Sequence, residues 1–273
     1  MLNGKKVLLI ITGGIAAYKS LELVRKLKEK GADVIPVMTK AAENFVTPMS
    51  VSALAQEKVY NKLFDLTDEA EMGHIELSRS CDLIVVVPAS ADFIAKTATG
   101  QANDLASTLI LATDTKVFMA PAMNVRMWEN PLTQKNIKIL DENGFKFVGP
   151  DEGEMACGEF GFGRMAEAGE ILKEIEAYFR DKKLKGRHFV VTSGPTIEPI
   201  DPVRFIGNRS SGLQGGAIAR ELVESGAEVT FITGPVNLDP PHGSNIIRVE
   251  TADEMYDAVH SSCLLYTSPS PRD

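Results

Sequence analysis

The sequence predicts an α/β fold, a doubly wound parallel sheet with helices on both faces, followed by the start of a second α/β domain. One observation is the succession of an apolar run at 7–11, a glycine turn, an amphipathic helix and a second apolar run at 34–38. Another is that further apolar runs at 83–87 and 117–120 alternate with helical segments. The third is that a strand, a glycine turn and a helix follow one another again from His188.

The first strand and helix are the clearest of these elements. Every residue of the run 7–11 is apolar, as expected for a strand that is buried on both faces. The following helix places Leu21, Val24 and Leu27 on one face, and Gly31 is suited to end it. With the next apolar run, these elements predict a βαβ unit.

The chain is expected to divide into two domains and a tail. These segments are a first domain over 1–183, a partial second domain over 187–260 and a non-native tail over 261–273. At the boundary between the two domains we expect a charged helix at 167–183 and a linker at 182–187. In the second domain we expect a strand at 188–192, a helix at 215–225 and a strand at 229–233. The tail is interpreted as translated vector or adapter sequence, because Ser-Pro-Ser-Pro-Arg-Asp stands where a buried strand should follow.

Composition and charge exclude several classes of function. The net charge is −8 with acidic and basic residues intermixed, so nucleic acid is not an expected partner. No apolar run approaches the roughly 20 residues that span a membrane. Cys81, Cys157 and Cys263 are far apart and there are only four histidines, so no metal site is expected. A reduced, cytoplasmic location fits this pattern.

The glycine turn after the first strand is a potential phosphate site. Thr12-Gly13-Gly14 precedes a helix, whose N-terminal N–H groups and dipole suit an anion. The turn lacks the Gly-x-Gly-x-x-Gly pattern, and the second strand ends at Thr39 without an acid for a ribose hydroxyl. This favours a mononucleotide such as FMN over NAD, although many such turns are purely structural.

Two more motifs directly follow predicted strands. Pro-Ala-Ser-Ala-Asp at 88–92 has small residues that would let a flat ring approach the backbone. Pro-Ala-Met-Asn at 121–124 continues to Met127 and Trp128, and the amide of Asn124 could donate to a carboxylate. Each segment alone could also be an ordinary turn between a strand and a helix.

His74 and Cys157 are the potential acid–base residues. His74 stands near the start of a predicted helix, where a lone histidine is more often a surface or core residue. Cys157 lies in a run that contains four glycines, at 153, 158, 161 and 163. We expect this run to form a mobile flap on which the thiol could act as an acid, whereas the alternative is a small buried thiol.

Taken together, these motifs resemble the flavin-dependent cysteine decarboxylase family. Gly-Gly-Ile-Ala-Ala-Tyr-Lys, Pro-Ala-Ser-Ala-Asp, Pro-Ala-Met-Asn-x-x-Met-Trp and Ala-Cys-Gly occur in the order and spacing of its phosphopantothenoylcysteine decarboxylases, over about 1–180. The resemblance implies a flavodoxin-like fold. The segment from Thr192 to Gly212 resembles the start of a phosphopantothenate–cysteine ligase. The chain thus resembles the bifunctional enzymes of bacterial coenzyme A biosynthesis, cut short.

The resemblance implies FMN-dependent conversion of 4′-phosphopantothenoylcysteine into 4′-phosphopantetheine. A hydride passes from the cysteine β-carbon to FMN, carbon dioxide leaves and the hydride returns, without net redox change. By analogy His74 acts as a base, Asn124 holds the departing carboxylate and Cys157 supplies a proton. Glu154 and Ala156 would contact the substrate.

The residues that the resemblance implies for the FMN pocket come from four strand ends. They are Gly14, Ile15, Ala16, Thr39, Ser90, Ala91, Asp92, Phe93 and Ala122. The resemblance also implies a homo-oligomer, a trimer or a multiple of one.

For the ligase-like part, the resemblance implies CTP and Mg²⁺ as requirements of a complete domain. Asn208 matches the residue that acts on the acyl-cytidylate. Leu213 stands where lysine is usual. By the same resemblance, the family's lysine-rich loop and cytidine pocket would lie beyond the end of this chain, so we expect no ligase activity from it.

Two other interpretations stay open. One is a different enzyme of the same superfamily, a flavin prenyltransferase or a peptidyl-cysteine decarboxylase, against which Cys157, Pro-Ala-Met-Asn and the ligase-like start argue. The other is a non-catalytic FMN-binding protein. The substitution Asn124→Asp separates the decarboxylase from the non-catalytic protein, because it should abolish decarboxylation in the first and leave the redox behaviour of the flavin intact in the second.

Overall fold

The computed structural model describes residues 2–63, 74–154, 158–180 and 182–262. The chain divides into two compact units, Met1–Phe179 and Arg180–Asp273. Among the described residues, no helix is both long and apolar enough to cross a membrane.

The first unit is built on a parallel sheet of five strands. The strands are β1 (Lys6–Ile11), β2 (Asp33–Met38), β3 (Leu83–Ala89), β4 (Val117–Pro121) and β5 (Lys146–Phe147). Their order in the sheet is β2-β1-β3-β4-β5, and every neighbouring pair is parallel. This is the flavodoxin-like, doubly wound order. The predicted fold class is confirmed.

Helices cover both faces of this sheet. They are α1 (Tyr18–Glu29), α2 (Pro48–Ala55), α3 (His74–Arg79), α4 (Ala91–Ala98), α5 (Leu105–Leu111), α6 (Val125–Trp128), α7 (Pro131–Glu142) and α8 (Ala168–Phe179). Short 3-10 turns occupy Ile15–Ala17 and Ala42–Asn44. Gly31, with φ +84°, follows α1 as predicted.

The uninterrupted apolar run of β1 follows from its position between two cores. Val7, Leu9 and Ile11 pack with buried residues of α1, α2 and α8. Leu8 and Ile10 pack with buried residues of α4, α5 and α7 on the opposite face. Since successive side chains of a strand point to opposite faces, both sets must be apolar.

The glycine-rich run contains a β-hairpin, where the sequence predicted a mobile flap. Strands β6 (Asp151–Glu154) and β7 (Phe160–Arg164) pair antiparallel, and residues 155–157 lie outside the described residues. Gly153, Gly161 and Gly163 belong to the strands. A Cβ atom on Gly161 would lie 2.7 Å from Cγ2 of Val125 in α6. At this position glycine permits close packing of a strand on a helix, whereas the mobility expected for the segment around Cys157 stays a prediction.

The second unit begins with a parallel sheet of three strands and a short antiparallel pair. Its elements are β8 (His188–Ser193), β9 (Ile197–Pro199), β10 (Phe205–Gly207), α9 (Leu213–Glu224), β11 (Glu228–Thr233), β12 (Asn245–Arg248) and α10 (Ala252–Ser262). The sheet order is β12-β11-β8, and β9 pairs with β10. The strands predicted at 188–192 and 229–233 agree with β8 and β11 to within one residue.

The helix predicted over 167–183, at the end of the first unit, is shorter in the structure and corresponds to α8. The charged residues after Phe179 offer no apolar face to bury.

Candidate active site

A cavity of about 1030 Å³ opens at the carboxyl edge of the sheet in the first unit. Its walls come from the segments that follow four parallel strands, at 12–16, 39–41, 90–93 and 122–124. The adjacent strands β1 and β3 connect onward in opposite directions, β1 to β2 and β3 to β4. A crevice must open where the connections diverge, and open α/β sheets bind ligands there.

Thr12 fixes the spacing between the first and third of these turns. Its hydroxyl is buried, donates to the carbonyl oxygen of Pro88 at 2.7 Å and accepts from the N–H of Ser90 at 3.1 Å. The buried hydroxyl of Ser20 donates to the carbonyl oxygen of Val87 at 2.6 Å. These hydrogen bonds connect the segment that follows β1 with the end of β3, and they satisfy both buried hydroxyl groups.

The glycine turn has space on one side and close packing on the other. A Cβ atom on Gly13 would lie 2.5 Å from the Cβ atom of Ala41, so only glycine fits there. A Cβ atom on Gly14 would meet no atom within 4 Å. The 3-10 turn Ile15–Ala17 starts at this point, and the first N–H groups of such a turn have no acceptor within it. The turn is therefore suited to an anionic group.

Ser90 starts a second helix at the cavity. Its hydroxyl accepts from the N–H of Phe93 at 3.3 Å and caps α4. Asp92 in the first turn of α4 is paired with Lys96, whose Nζ lies 3.0 Å from Oδ2 of Asp92 and 4.0 Å from Oδ2 of Asp104. All of these side chains line the cavity.

Two polar contacts with described residues hold Asn124 in one orientation. Its Oδ1 accepts from the N–H of Arg126 at 2.8 Å, which caps α6, and its Nδ2 donates to Oε2 of Glu159. The other carboxylate oxygen of Glu159 lies 3.4 Å from Nε of Arg126. A flipped amide would lose both hydrogen bonds, so Asn124 presents its N–H groups on the Glu159 side.

Cationic side chains outnumber the carboxylates that line the cavity. The cations are Lys19, Lys40, Lys96 and Arg164, and the carboxylates are Asp92, Asp104 and Glu154. Lys19 is nearly buried, and its Nζ lies 2.8 Å from Oε1 of Glu167 and 3.3 Å from the carbonyl oxygen of Met165. The hydrogen bond from Lys19, aided by Arg164, holds the pKa of Glu167 below its ordinary value.

The structure brings most of the sequence-predicted site residues to this one cavity. The residues predicted for FMN that line it are Gly14, Ile15, Ala16, Thr39, Ser90, Ala91, Asp92, Phe93 and Ala122. Asn124 and Glu154, predicted for the substrate, line it as well. Their assigned roles stay predictions.

Three predicted residues lie wholly or with their side chains outside the described residues, and a fourth lies in the second unit. His74 is the first residue of α3, but its side chain lies outside the described residues, as do Ala156 and Cys157. Asn208 belongs to the second unit, where it is exposed and its Oδ1 accepts from the N–H of Ser210 at 2.9 Å. Across the described ranges, no group of His, Cys, Asp and Glu side chains could hold a metal ion.

Sequence reasoning missed several residues that shape the site. Thr12 and Lys19 lie within motifs whose glycines and alanines had been singled out, so their polar side chains were a usable signal. Glu159 carried no such signal, because its contact with Asn124 joins residues 35 positions apart.

Cys81 lies away from this site and is a buried structural thiol. Its Sγ donates to the carbonyl oxygen of Ser78, and burial raises the pKa of the thiol to about 11.

Comparison with known proteins identifies both parts of the chain. The Flavoprotein family model matches residues 1–180, and the model of the DNA/pantothenate metabolism flavoprotein C-terminal domain matches residues 184–265. The coenzyme A biosynthesis bifunctional protein CoaBC of Vibrio vulnificus (strain YJ016) is 50% identical over 258 residues, which are 94% of this chain and 64% of that protein. The protein of the same name from Escherichia coli (strain K12) is 47% identical over 262 residues, 96% of this chain and 64% of its own length. The chain thus spans less than two thirds of these relatives.

Solved structures match the first unit. A PPC decarboxylase mutant complexed with pantothenoylaminoethenethiol has a TM-score of 0.58 and 32% identity, and the match covers 64% of this chain and 98% of that one. The FMN binding protein AtHal3 has a TM-score of 0.56 and 32% identity, over 64% of this chain and 96% of that one. Because the Flavoprotein model covers residues 1–180 of 273, the chain belongs to the Flavoprotein family.

Proposed function

We propose that this chain binds FMN and decarboxylates 4′-phosphopantothenoylcysteine to 4′-phosphopantetheine, a step of coenzyme A biosynthesis. The observation that carries the proposal is the single cavity lined by every residue predicted for FMN together with Asn124 and Glu154. The names of the relatives at 47–50% identity and of the PPC decarboxylase structure support this substrate.

The residues of the cavity fit FMN. Its volume of about 1030 Å³ lies at the upper end of the range for ligand cavities, roughly 300–1,000 Å³. Gly14, Ala16, Ala91 and Ala122 leave room for a flat ring beside the backbone, and the N-terminal N–H groups of the 3-10 turn and of α4 would hold the phosphate. When bound there, FMN supplies a hydride acceptor and donor.

Asn124 would bind the substrate carboxylate through Nδ2. The cap on α6 fixes the amide oxygen, so a donor and not an acceptor faces the incoming anion. Met123 and Met127 form an apolar wall beside it. Loss of neutral carbon dioxide from a carboxylate is favoured where the surroundings solvate the charge poorly.

The acid–base roles of His74 and Cys157 remain part of the proposal. His74 would take a proton during substrate oxidation, and Cys157 would return one to the decarboxylated product. Both strands that flank residues 155–157 contribute to the cavity wall, Glu154 from β6 and Arg164 from β7. This placement supports a role for the intervening segment on the substrate side.

We also propose a cytoplasmic homo-oligomer, a trimer or a multiple of one, without a nucleic-acid partner. Ile15, Tyr18 and Met127 line the cavity and yet are 64%, 59% and 49% exposed. Large exposed apolar side chains grouped at one place commonly mark an association surface. The net charge of −8 is unfavourable for a polyanion.

The test compares the wild-type chain with Asn124→Asp, using the visible flavin spectrum and carbon dioxide release from 4′-phosphopantothenoylcysteine. We expect both proteins to be yellow and only the wild type to release carbon dioxide. A yellow wild type that releases carbon dioxide from a peptide ending in cysteine, but not from this substrate, would identify a peptidyl-cysteine decarboxylase. A yellow wild type inactive on both would contradict the enzymatic assignment, and a colourless one would contradict the FMN site.

A further inference from the structure

Glu159 forms a three-residue cluster with Asn124 and Arg126 at the edge of the cavity. Oε2 of Glu159 accepts from Nδ2 of Asn124, and Oε1 lies 3.4 Å from Nε of Arg126. The Glu159 side chain is 35% exposed and that of Arg126 is 86% exposed. One carboxylate therefore bridges the proposed substrate-binding amide and a solvent-facing guanidinium.

The packing of the hairpin on α6 holds Glu159 in this place. The N–H of Met123 donates to the carbonyl oxygen of Gly163 at 3.0 Å. Gly161 approaches Val125 so closely that it leaves no room for a Cβ atom. Glu159 stands next to β7, so the contacts of Gly161 and Gly163 fix the backbone from which its side chain reaches Asn124.

Glu159 and the substrate group that Asn124 is proposed to bind are both carboxylates. Two carboxylates at one amide donor repel each other. Arg126 offers Glu159 a second, charge-assisted partner on its other oxygen. A substrate carboxylate could therefore take the donor while Glu159 keeps its contact with Arg126.

We propose that Glu159 is a positioning residue that holds the Asn124 amide, yields it to the substrate carboxylate and takes it back after decarboxylation. This inference rests on the proposed function. It assigns Glu159 a role in selectivity, because Glu159 competes only with ligands that carry the carboxylate. Weakened binding of the substrate carboxylate favours its departure, since interactions that hold the ground state alone slow the reaction.

The test measures KM for 4′-phosphopantothenoylcysteine and the inhibition constant of 4′-phosphopantetheine, which lacks the carboxylate. In Glu159→Gln a neutral acceptor replaces the charged one, so we expect KM to fall about fivefold, without a rise in kcat. The inhibition constant of 4′-phosphopantetheine should not change. Glu152→Gln, which alters an exposed carboxylate of the same hairpin that does not line the cavity, is the control and should change neither constant.

A second variant should change KM in the opposite direction. Arg126→Gln removes the alternative partner of Glu159, so KM should rise while the inhibition constant of 4′-phosphopantetheine stays the same. Three results would overturn the inference while leaving the proposed function intact. They are equal shifts of KM and of the inhibition constant, an unchanged KM in Glu159→Gln, and a KM that falls in Arg126→Gln. A wild-type chain that does not turn over the substrate would overturn the proposed function and this inference with it.

Discussion

The hydroxyl of Thr12 connects two turns of the cavity, because it donates to the Pro88 carbonyl oxygen and accepts from the Ser90 N–H. Replacing it with valine keeps the shape of the side chain but leaves the Pro88 carbonyl and the Ser90 N–H without this partner. Thr12→Val should therefore lower the free energy of unfolding by about 1–3 kcal/mol and weaken FMN binding. Urea denaturation and flavin titration measure the two effects. Thr99→Val, which alters an exposed hydroxyl at the end of α4, should change stability by less than about 0.5 kcal/mol; equal losses in the two variants would contradict this role.

Lys19 and Glu167 predict a specific response to acid. The lowered pKa of Glu167, caused first by its hydrogen bond from Lys19, means that the folded state favours the charged carboxylate. This contribution to stability is present above the ordinary value of 4.5 and is lost as the pH falls through the lower pKa of the folded state. In Lys19→Met this contribution should be smaller, because only Arg164 still pairs with Glu167. The difference in unfolding free energy between wild type and Lys19→Met should thus be larger at pH 7 than at pH 3, and a constant difference would contradict the pairing.

Cys81 should be inert while the chain is folded. Its thiol is buried and its pKa is raised to about 11, so at pH 8 almost none of it is the reactive thiolate. Peptide mapping after iodoacetamide treatment at pH 8 should find Cys81 alkylated only when urea is present. Alkylation of Cys81 in the native chain at the rate of a free thiol would contradict its burial.

At the scale of elements, the β6–β7 hairpin and α6 form one wall of the site through glycine-mediated contact. Gly161→Ala should lower the free energy of unfolding by about 1–3 kcal/mol and reduce decarboxylation, because the new Cβ atom pushes β7 away from Val125. Part of the loss should remain in the double variant with Val125→Ala, since Gly161 has φ +148°, which disfavours a side chain. Gly169→Ala is the control, as a Cβ atom there meets nothing within 4 Å. An equal effect of Gly161→Ala and Gly169→Ala on activity would contradict the proposed wall.

The elements also show which features a single sequence reveals. Four strands of the five-stranded sheet were predictable because each contains a continuous apolar run, and Gly31 marked the end of α1. The two-residue strand β5 contains no such run and was not predicted. Within α1 the buried residues include Leu23, whereas Leu21, expected on the buried face, is only partly buried. The hairpin was missed because glycines in a strand look like a loop when their packing partner, here Val125, is distant in sequence. The contact between Glu159 and Asn124 is equally non-local, so no local pattern could have predicted it.

At the scale of the whole molecule, the order β2-β1-β3-β4-β5 explains why four separate segments meet at one cavity. Each segment follows a parallel strand, and the carboxyl ends of parallel strands share one edge of the sheet. The positions of β1 to β4 were predictable from the sequence, but the order of the strands was not, since order depends on pairing between distant segments. The cavity at 12–16, 39–41, 90–93 and 122–124 is therefore a product of topology as much as of residue type.

The most direct test of this account follows carbon dioxide and oxygen together while the purified, flavin-bound wild-type chain acts on 4′-phosphopantothenoylcysteine. Because the proposed reaction has no net redox change, we expect one carbon dioxide and one 4′-phosphopantetheine for each substrate consumed, with no net oxygen uptake and no added reductant. Substrate that remains intact in the presence of bound flavin, or carbon dioxide released only with stoichiometric oxygen consumption, would contradict the account.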